Sequence, residues 1–292
     1  MIAALCFDLG GTNLRAALAR SGREGDLVAL GNWPAPADLA TFRGRVAELI
    51  DAHGASRVGM AVPGLASGST CLWAPNLQYL DGQDLARLFP GVSVQLGNDA
   101  QLALLAEATL GAARNVKDVI LLAIGTGIGS AVLADGRIVR GHLGAAASFG
   151  WACADPADAG DDVRGWLERN ASGTALDMIA NLLGLPNGRA LIEAARAGDP
   201  AALEALAKPS AALGAALAGA AALLGSRSVI VSGGVAEGGD VLAQLILPVL
   251  KRHLPPHLRD IALGPAEFGA RASLIGAGLA AHGHPLWVEG RS

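Results

Sequence analysis

Residues 6 to 18 read CFDLGGTNLRAAL, a hydrophobic strand that stops at two glycines and then resumes as a second strand. Glycine permits a positive φ, so the two glycines are expected to close a tight hairpin. Without a Cβ, this turn lets a phosphate approach the backbone N–H groups, beside two short polar side chains. Asp8 ends the incoming strand, where its carboxylate is expected to hold Mg²⁺ through water. The expected phosphate-binding residues are Gly10, Gly11, Thr12 and Asn13.

Residues 122 to 134 read LAIGTGIGSAVLA and repeat this design. In a gapless alignment, in which Gly10 meets Gly125, Ala16 also meets Ala131. An internal repeat of a phosphate hairpin indicates two related lobes with nucleotide phosphates held between them. The second set of expected phosphate-binding residues is Gly125, Thr126 and Gly127. Read separately, each stretch also fits an ordinary glycine turn, and the repeat also fits chance similarity between glycine-rich hairpins.

Composition narrows the classes of protein and partner. The chain has 292 residues, of which 52% are hydrophobic and 40 are glycine, as expected of a globular α/β protein with many tight turns. The net charge of −4, without a block of Lys or Arg, argues against nucleic acid or an anionic membrane as the main partner. Three scattered cysteines indicate a reducing compartment, and no signal peptide is evident at the start, so we expect a cytoplasmic protein.

The order of hydrophobic strands and helical patterns predicts two lobes, residues 1–112 and 113–292, joined at a compact hinge near residues 111–115. Residues 273–282 are predicted to form a closing helix, which is free to pack back on the N-terminal lobe. The helical insert of the second lobe is expected to break at Lys208-Pro209. Residues 209–226 are uncharged and nearly long enough to span a bilayer, but their Ala and Gly content favours a buried helix.

Seven short motifs follow one another along the chain: Asp8-Leu9-Gly10-Gly11-Thr12-Asn13 with Arg15, Pro63-Gly64, Ala74-Pro75-Asn76-Leu77, Asn98-Asp99-Ala100, Gly125-Thr126-Gly127-Ile128-Gly129, Gly165-Trp166-Leu167-Glu168 with Ser172-Gly173, and Ser232-Gly233-Gly234-Val235. In this order they resemble the ROK family (repressors, uncharacterised frames and sugar kinases) of the sugar kinase, heat-shock protein and actin superfamily. The resemblance covers nearly the whole chain and implies an α/β, two-lobed, actin-like ATPase fold (ribonuclease H-like), with mixed sheets, flanking helices and an active site in the interlobe cleft.

The resemblance implies ATP- and Mg²⁺-dependent phosphorylation of a sugar hydroxyl, with Asp99 as the general base. Asp99 follows a strand and opens a helix, so the helix dipole is expected to keep its carboxylate ionised. Plain helix capping by Asn98-Asp99 is the alternative. The implied sugar-binding residues are Gly64, Asn76, Asn98 and Asp99, and the implied adenosine-binding residues are Gly233 and Gly234.

Two family features are missing. Aligned with the family's Glu-x-Gly-His motif, which binds the sugar near its anomeric end, the chain has Ser148 in place of the Glu and Trp151 in place of the His. Trp151 either stacks on the acceptor or fills space. Glu168 remains as a candidate sugar ligand. The zinc-binding cysteines of the family are replaced by Ala159, Asp161 and Trp166, so no structural zinc is expected.

Several functions remain open at this point. The first is a sugar kinase whose acceptor differs from glucose at carbons 1 and 2; the second is a non-catalytic sugar sensor, or pseudokinase. The third is an ATPase without a sugar substrate, and polyphosphate remains an alternative donor. No helix-turn-helix precedes the first hairpin, so a DNA-binding regulator is not expected. The resemblance implies a homodimer.

Overall fold

The computed structural model describes residues 3–234 and 239–287. The chain forms two compact units: Met1–Asn115 with Arg137–Ala146 and Ala270–Ser292, and Val116–Gly136 with Ala147–Gly269. The sequence-based division placed everything after residue 112 in the second lobe. Two later segments instead belong to the first unit.

The first unit contains a five-stranded mixed sheet in the order β3-β2-β1-β4-β7. Its first three strands are antiparallel neighbours, and β1, β4 and β7 are parallel. A separate two-stranded sheet pairs β5 with β6, neither of which the sequence patterns predicted. The elements up to residue 109 are β1 (Ala3–Leu9), β2 (Asn13–Arg20), β3 (Arg23–Pro34), α1 (Leu39–His53), β4 (Arg57–Val62), β5 (Leu65–Ser67), β6 (Thr70–Trp73), α2 (Leu85–Leu88), β7 (Ser93–Asn98) and α3 (Asp99–Thr109).

The second sheet repeats this topology, in the order β10-β9-β8-β11-β12. Again a hairpin, β8 with β9, is followed by parallel strands on the side of its first strand. The remaining elements are β8 (Val119–Ile124), β9 (Ile128–Ala134), β10 (Arg137–Ile138), α4 (Trp166–Ala171), α5 (Gly173–Leu182), α6 (Gly188–Arg196), α7 (Pro200–Leu224), β11 (Ser228–Ser232), α8 (Gly239–His253), β12 (Ala262–Pro265) and α9 (Ala272–Ala281). The predicted internal repeat therefore extends to the order of the strands in each sheet.

Helix α7 corrects one prediction. It continues through Pro209, where a break was expected, and Pro209 itself is buried. A proline inside a helix removes one backbone hydrogen bond, and burial of apolar residues along this helix offsets that loss. By length and hydropathy α7 is the one helix among the described residues that would suit a membrane, but half of its apolar stretch is buried. Leu206, Leu213 and Leu217 belong to the core of the second unit, as expected of a buried helix.

Helix α9 lies on the sheet of the first unit because glycines let backbones approach closely. A Cβ at Gly59, in β4, would overlap the carbonyl oxygen of Ala277, and one at Gly276 would overlap that of Leu102 in α3. Any larger residue at these positions would push α9 away. This packing places the closing helix in the first unit.

We expect Gly59→Ala to destabilise the protein by about 1–3 kcal/mol or more, because the added methyl group must displace the α9 backbone. The matched control is Gly44→Ala in the exposed face of α1, where the new Cβ meets nothing within 4 Å. That change should be neutral or stabilising by up to about 1 kcal/mol. Urea unfolding of both variants measures the difference, and equal stability would contradict the packing described for α9.

Candidate active site

The first hairpin turn is closed without left-handed residues. Leu9 and Leu14 form its last pair, and the N–H of Gly10 donates to the carbonyl of Asn13 at 2.9 Å. Neither Gly10 nor Gly11 has a positive φ, so the expected role of these glycines was wrong. Gly11 is required for another reason: a Cβ there would lie 2.9 Å from the Cβ of Asn76. The glycine gives room to the loop that carries Asn76.

The second turn is one residue shorter than the first. Ile124 pairs with Ile128, and the N–H of Gly125 donates to the carbonyl of Gly127 at 3.0 Å, again without a positive φ. Leu9 and Ile124, which precede the turns, differ by 115 positions, whereas Leu14 and Ile128, which follow them, differ by 114. The gapless alignment therefore fails after the turn, although the repeat of the hairpin holds.

Helices of the second unit fix the second turn from its carbonyl side. The N–H of Gly173 donates to the carbonyl of Gly125 at 2.7 Å, and the Thr174 hydroxyl donates to the carbonyl of Thr126 at 2.8 Å. Glu168, in α4, accepts from the N–H of Ile128 at 3.1 Å, and a Cβ at Gly127 would overlap its carboxylate. Glu168, expected to bind the sugar, is thus a direct support of this turn.

Both turns present backbone donors. In the described chain, no hydrogen bond uses the N–H of Gly11, Thr12, Thr126 or Gly127. Thr12 and Thr126 are exposed, as is Asn13 at the start of β2. Successive unpaired N–H groups form a concave donor set that suits phosphate oxygens. The backbone donors of each turn, taken separately, therefore fit phosphate oxygens.

Asp8 forms an ion pair with Arg15, directly across the first hairpin. Arg15 also donates to the carbonyl of Ala270 at 2.8 Å, which fixes its guanidinium. Asp8 is the expected partner of Mg²⁺, and no group of three or more His, Cys, Asp or Glu side chains suited to a metal occurs among the described residues. Mg²⁺ commonly uses one or two carboxylates, waters and substrate phosphates, so Asp8, which also pairs with Arg15, fits a water-mediated role.

Asn98 is the N-cap of α3. Its side-chain oxygen accepts from the N–H groups of Ala100 at 3.0 Å and Gln101 at 3.3 Å, and its amide donates to the carbonyl of Gly64 at 3.1 Å. The capping alternative thus describes Asn98, whose side chain ties the helix start to the turn after β4. Asp99 follows as the first residue of α3, with an exposed side chain that accepts from the N–H of Ala100 at 2.7 Å.

The pKa of the Asp99 carboxyl is raised, whereas the helix dipole alone would lower it. Desolvation by the surrounding protein raises the pKa of Asp99 to about 6, the N–H of Ala100 opposes this shift, and the charge of Asp8 adds to it. The helix dipole was expected to keep this carboxylate ionised. Desolvation outweighs that effect, although a group with a pKa of about 6 is still mostly ionised at neutral pH.

The turn after β4 and the loop after β6 frame the Asn76 region. Gly64 has a φ of 91°, and a Cβ there would overlap the carbonyl oxygen of Trp73, so this position requires glycine. Asn76 is exposed. The N–H of Ala74 donates to Asp81 at 2.8 Å, a support that the motifs did not reveal, although Asp81-Gly82 is a typical turn signal.

The loop with the substituted family motif is open to solvent. Trp151 is 51% exposed, which argues against the interpretation that it fills space and leaves its face available for stacking. The backbone N–H of Trp151 donates a hydrogen bond to the carbonyl oxygen of Ser148 at 3.1 Å. The nearby acidic residues have structural partners: Arg169 lowers the pKa of Asp158, and backbone N–H groups lower that of Asp161. These contacts fit a solvated acidic loop.

The expected adenosine-binding glycines follow β11. Gly233 has a φ of 91°, and a Cβ there would overlap the carbonyl oxygen of Ile124 at the end of β8. Among the described residues, a Cβ at Gly234 would meet nothing within 4 Å. Val235 lies outside the described residues.

Gln101 is a second residue that the motifs did not reveal. It is 1% exposed, and its amide donates to the carbonyl of Gly144 at 3.1 Å. The only sequence signal is a polar residue two positions after Asp99, ahead of the apolar run Leu102–Ala106. The bond joins α3 to the segment that returns to the first unit.

Comparisons with known proteins agree with this arrangement. A sequence model of the ROK family matches residues 4–284. The glucokinase of Streptomyces coelicolor is 29% identical, covering 92% of this chain and 94% of that protein. The bifunctional enzyme NanE/NanK of Brucella melitensis is 33% identical, covering 93% of this chain and 52% of that enzyme. A structure of a ROK family glucokinase from Streptomyces griseus, in complex with glucose and AMPPNP, matches with a TM-score of 0.78 at 28% identity, covering 96% of this chain and 99% of that one. The predicted α/β class, with the mixed sheets and flanking helices of actin-like sugar kinases, is confirmed.

The raised pKa of Asp99 predicts how stability depends on pH. The folded protein holds this proton more tightly than the unfolded chain, so ionisation of Asp99 above its folded pKa costs stability. We expect Asp99→Asn to stabilise the protein at about pH 8 by at most about 2 kcal/mol, because water still reaches the exposed carboxylate, and the gain should vanish towards about pH 4.

The control is Asp158→Asn, whose carboxylate has a lowered pKa next to Arg169. This variant should lose stability at neutral pH, and the loss should fade as the pH falls through the ordinary range of aspartate. Urea unfolding across the pH range measures both. Destabilisation by Asp99→Asn at neutral pH would contradict the desolvation described for Asp99.

Proposed function

We propose, on the premise that the chain belongs to the ROK family, that it is an ATP-dependent kinase that phosphorylates a hydroxyl of a hexose or related sugar. The relatives are carbohydrate kinases by name, which supports this enzyme class. The observation that carries the proposal is the position of Asp99: an exposed carboxyl at the start of α3, directly after the Asn98 cap that ties this helix to Gly64.

In this proposal Asp99 accepts the proton of the acceptor hydroxyl. A general base works best when its pKa lies close to the working pH, and a pKa of about 6 keeps Asp99 ionised yet more basic than an ordinary aspartate. Asn98 acts indirectly, because its bonds to α3 and to Gly64 hold Asp99 in place. Asn76 and Gly64 border the acceptor.

The donor is held by the residues of the two turns. Backbone N–H groups of Gly11, Thr12, Thr126 and Gly127 bind phosphate oxygens, and Gly233-Gly234 lets the adenosine lie close to the backbone. When bound, ATP with Mg²⁺ supplies an activated γ-phosphoryl group and neutralises its developing charge. Asp8 positions the hydrated ion, and Arg15 keeps the Asp8 side chain oriented.

We also propose that the protein is a cytoplasmic homodimer. The scattered cysteines support the compartment, and the family resemblance supports the dimer.

The acceptor specificity is proposed to differ from that for glucose. Ser148 and Trp151 stand where the family's Glu and His bind the sugar near its anomeric end. Their replacement removes two polar anchors and presents a half-exposed indole face. A ring face of this kind suits an acceptor with an altered or apolar substituent at carbons 1 or 2.

We expect Asp99→Asn to lower kcat by about 10²–10⁴-fold while nucleotide and sugar binding persist. For the unchanged protein, kcat/KM should fall as the pH drops through about 6, because protonated Asp99 cannot accept a proton. Steady-state kinetics measure kcat and the pH dependence of kcat/KM, and calorimetry measures nucleotide and sugar binding. Asp51→Asn, on the exposed surface of α1, is the control and should keep wild-type rates. Full activity of the Asp99 variant would exclude it as the base.

We expect a panel of hexoses, ketoses and amino sugars to contain a better substrate than glucose. The double variant Ser148→Glu with Trp151→His should raise kcat/KM for glucose, because it restores both polar anchors. The control is Val163→His, which introduces a histidine at a position of the same loop that is 81% exposed. This variant should leave kcat/KM for glucose unchanged. Glucose phosphorylated by the wild type with an ordinary KM of about 1 μM–1 mM would count against the altered specificity.

A non-catalytic sugar sensor is the second candidate, because two sugar anchors are replaced. Sugar binding without turnover of any acceptor in the panel would support it. ATP hydrolysis that does not depend on added sugar would support an ATPase instead. The presence of both Asp99 and the two glycine turns favours the kinase, since a sensor has less need of a base.

A further inference from the structure

The carboxylate of Glu168, in α4, packs directly against the second glycine turn. One of its oxygens accepts a hydrogen bond from the backbone N–H of Ile128 at 3.1 Å. A Cβ on Gly127 would overlap the same oxygen. The carboxylate therefore occupies the space that a side chain at position 127 would fill, and its bond to Ile128 depends on glycine at that position.

This hydrogen bond complements the anchors on the carbonyl side of the turn. The start of α5 donates to two carbonyls of the turn, at 2.7 Å and 2.8 Å. Glu168 instead accepts from the first residue after the turn. The N–H groups of Thr126 and Gly127 lie between these anchors, and no hydrogen bond uses them within the described residues. Donors held in this way need little further ordering when a phosphate binds.

The backbone of α4 fixes the base of the Glu168 side chain. Gly165 is the N-cap of this helix, and a Cβ there would overlap the carbonyl oxygen of Gly150. A Cβ at Gly150 would in turn lie 3.6 Å from the Cβ of Glu168. Among the described residues, the bond to Ile128 is the only hydrogen bond of the carboxylate itself. A single contact therefore holds the end of this side chain on the turn.

The chemistry of the contact separates the charge of Glu168 from its reach. A negative charge beside backbone donors opposes phosphate binding, because like charges repel. A favourable contribution must therefore come from the oxygen that accepts the N–H of Ile128. A neutral amide of the same length offers the same kind of acceptor, whereas a shorter carboxylate does not reach as far.

We propose that Glu168 is a positioning residue for the nucleotide. It holds the second turn in the arrangement that binds phosphate oxygens, and it acts through the backbone rather than by contact with the acceptor sugar. The inference rests on the proposed function, because it takes the ligand of this turn to be a nucleotide phosphate. It assigns Glu168 to the donor side of the reaction, where the sequence motif indicated a sugar ligand.

The test measures binding of AMPPNP with Mg²⁺ to the intact protein by calorimetry, without an acceptor. Glu168→Gln keeps the length and an acceptor oxygen but removes the charge. Glu168→Asp keeps the charge but is one carbon shorter, and Glu168→Ala removes the group. Glu204→Ala, on the exposed face of α7, is the control, and thermal unfolding checks that each variant folds.

We expect Glu168→Ala and Glu168→Asp to raise the Kd for AMPPNP at least about tenfold, because the turn loses an anchor. Glu168→Gln and Glu204→Ala should stay within about twofold of the wild type. In steady-state kinetics with the best acceptor of the sugar panel, Glu168→Asp should raise KM for ATP and leave KM for the acceptor unchanged.

Gly127→Ala tests the same contact from the other side. Its methyl group displaces the carboxylate, so it should weaken AMPPNP binding in the wild-type background and add less in the Glu168→Ala background.

Three outcomes overturn the inference: unchanged AMPPNP affinity in folded Glu168→Ala, equal weakening by Glu168→Gln and Glu168→Ala, or a rise confined to KM for the acceptor. Fully additive effects of the changes at positions 127 and 168 also overturn it. A wild-type protein that binds no AMPPNP would contradict the proposed function itself, and this inference with it.

Discussion

The capping of α3 by Asn98 is the interaction on which the candidate site of the first unit depends. One side chain accepts two N–H groups at the start of the helix and donates to the carbonyl of Gly64. The end of β7, the start of α3 and the turn after β4 are thereby joined through a single residue. Asp99 follows directly, so the position of the proposed base is set by a hydrogen-bonded cap.

In both hairpin turns a glycine allows another side chain to pack closely against the backbone. The side chain that does so differs between the two turns. Gly11 makes room for Asn76, and Gly127 makes room for the Glu168 carboxylate. In the second unit the carbonyls of the turn are also tied to α5, while N–H groups of the turn remain unpaired. A donor set arranged in this way is fixed before a phosphate arrives, which reduces the cost of ordering it on binding.

Much of this arrangement follows from sequence patterns, because short-range signals determine it. Hydrophobic runs, glycines and capping residues predict the two hairpins, the strand that leads to Asn98 and the helix that follows it, although not the exact bounds of these elements. The family resemblance, carried by short motifs in order, is confirmed over residues 4–284.

Long-range effects account for what the patterns did not predict. The burial that keeps Pro209 helical comes from residues distant in sequence. Contacts of α9 with β4 and α3 place residues after 270 in the first unit. The pKa of Asp99 is raised by the protein around it and by Asp8, neither of which a motif at positions 98–100 encodes.

The most direct test of the central claim is an NMR titration of the Asp99 carboxyl, assigned by comparison with Asp99→Asn. The account predicts an apparent pKa near 6 that falls in Asp8→Asn, because the Asp8 charge contributes to the shift. An ordinary aspartate value of about 3.9, unchanged in Asp8→Asn, would contradict it. In that case the carboxyl is neither desolvated nor coupled to Asp8, and the electrostatic basis for a general base at this position is lost.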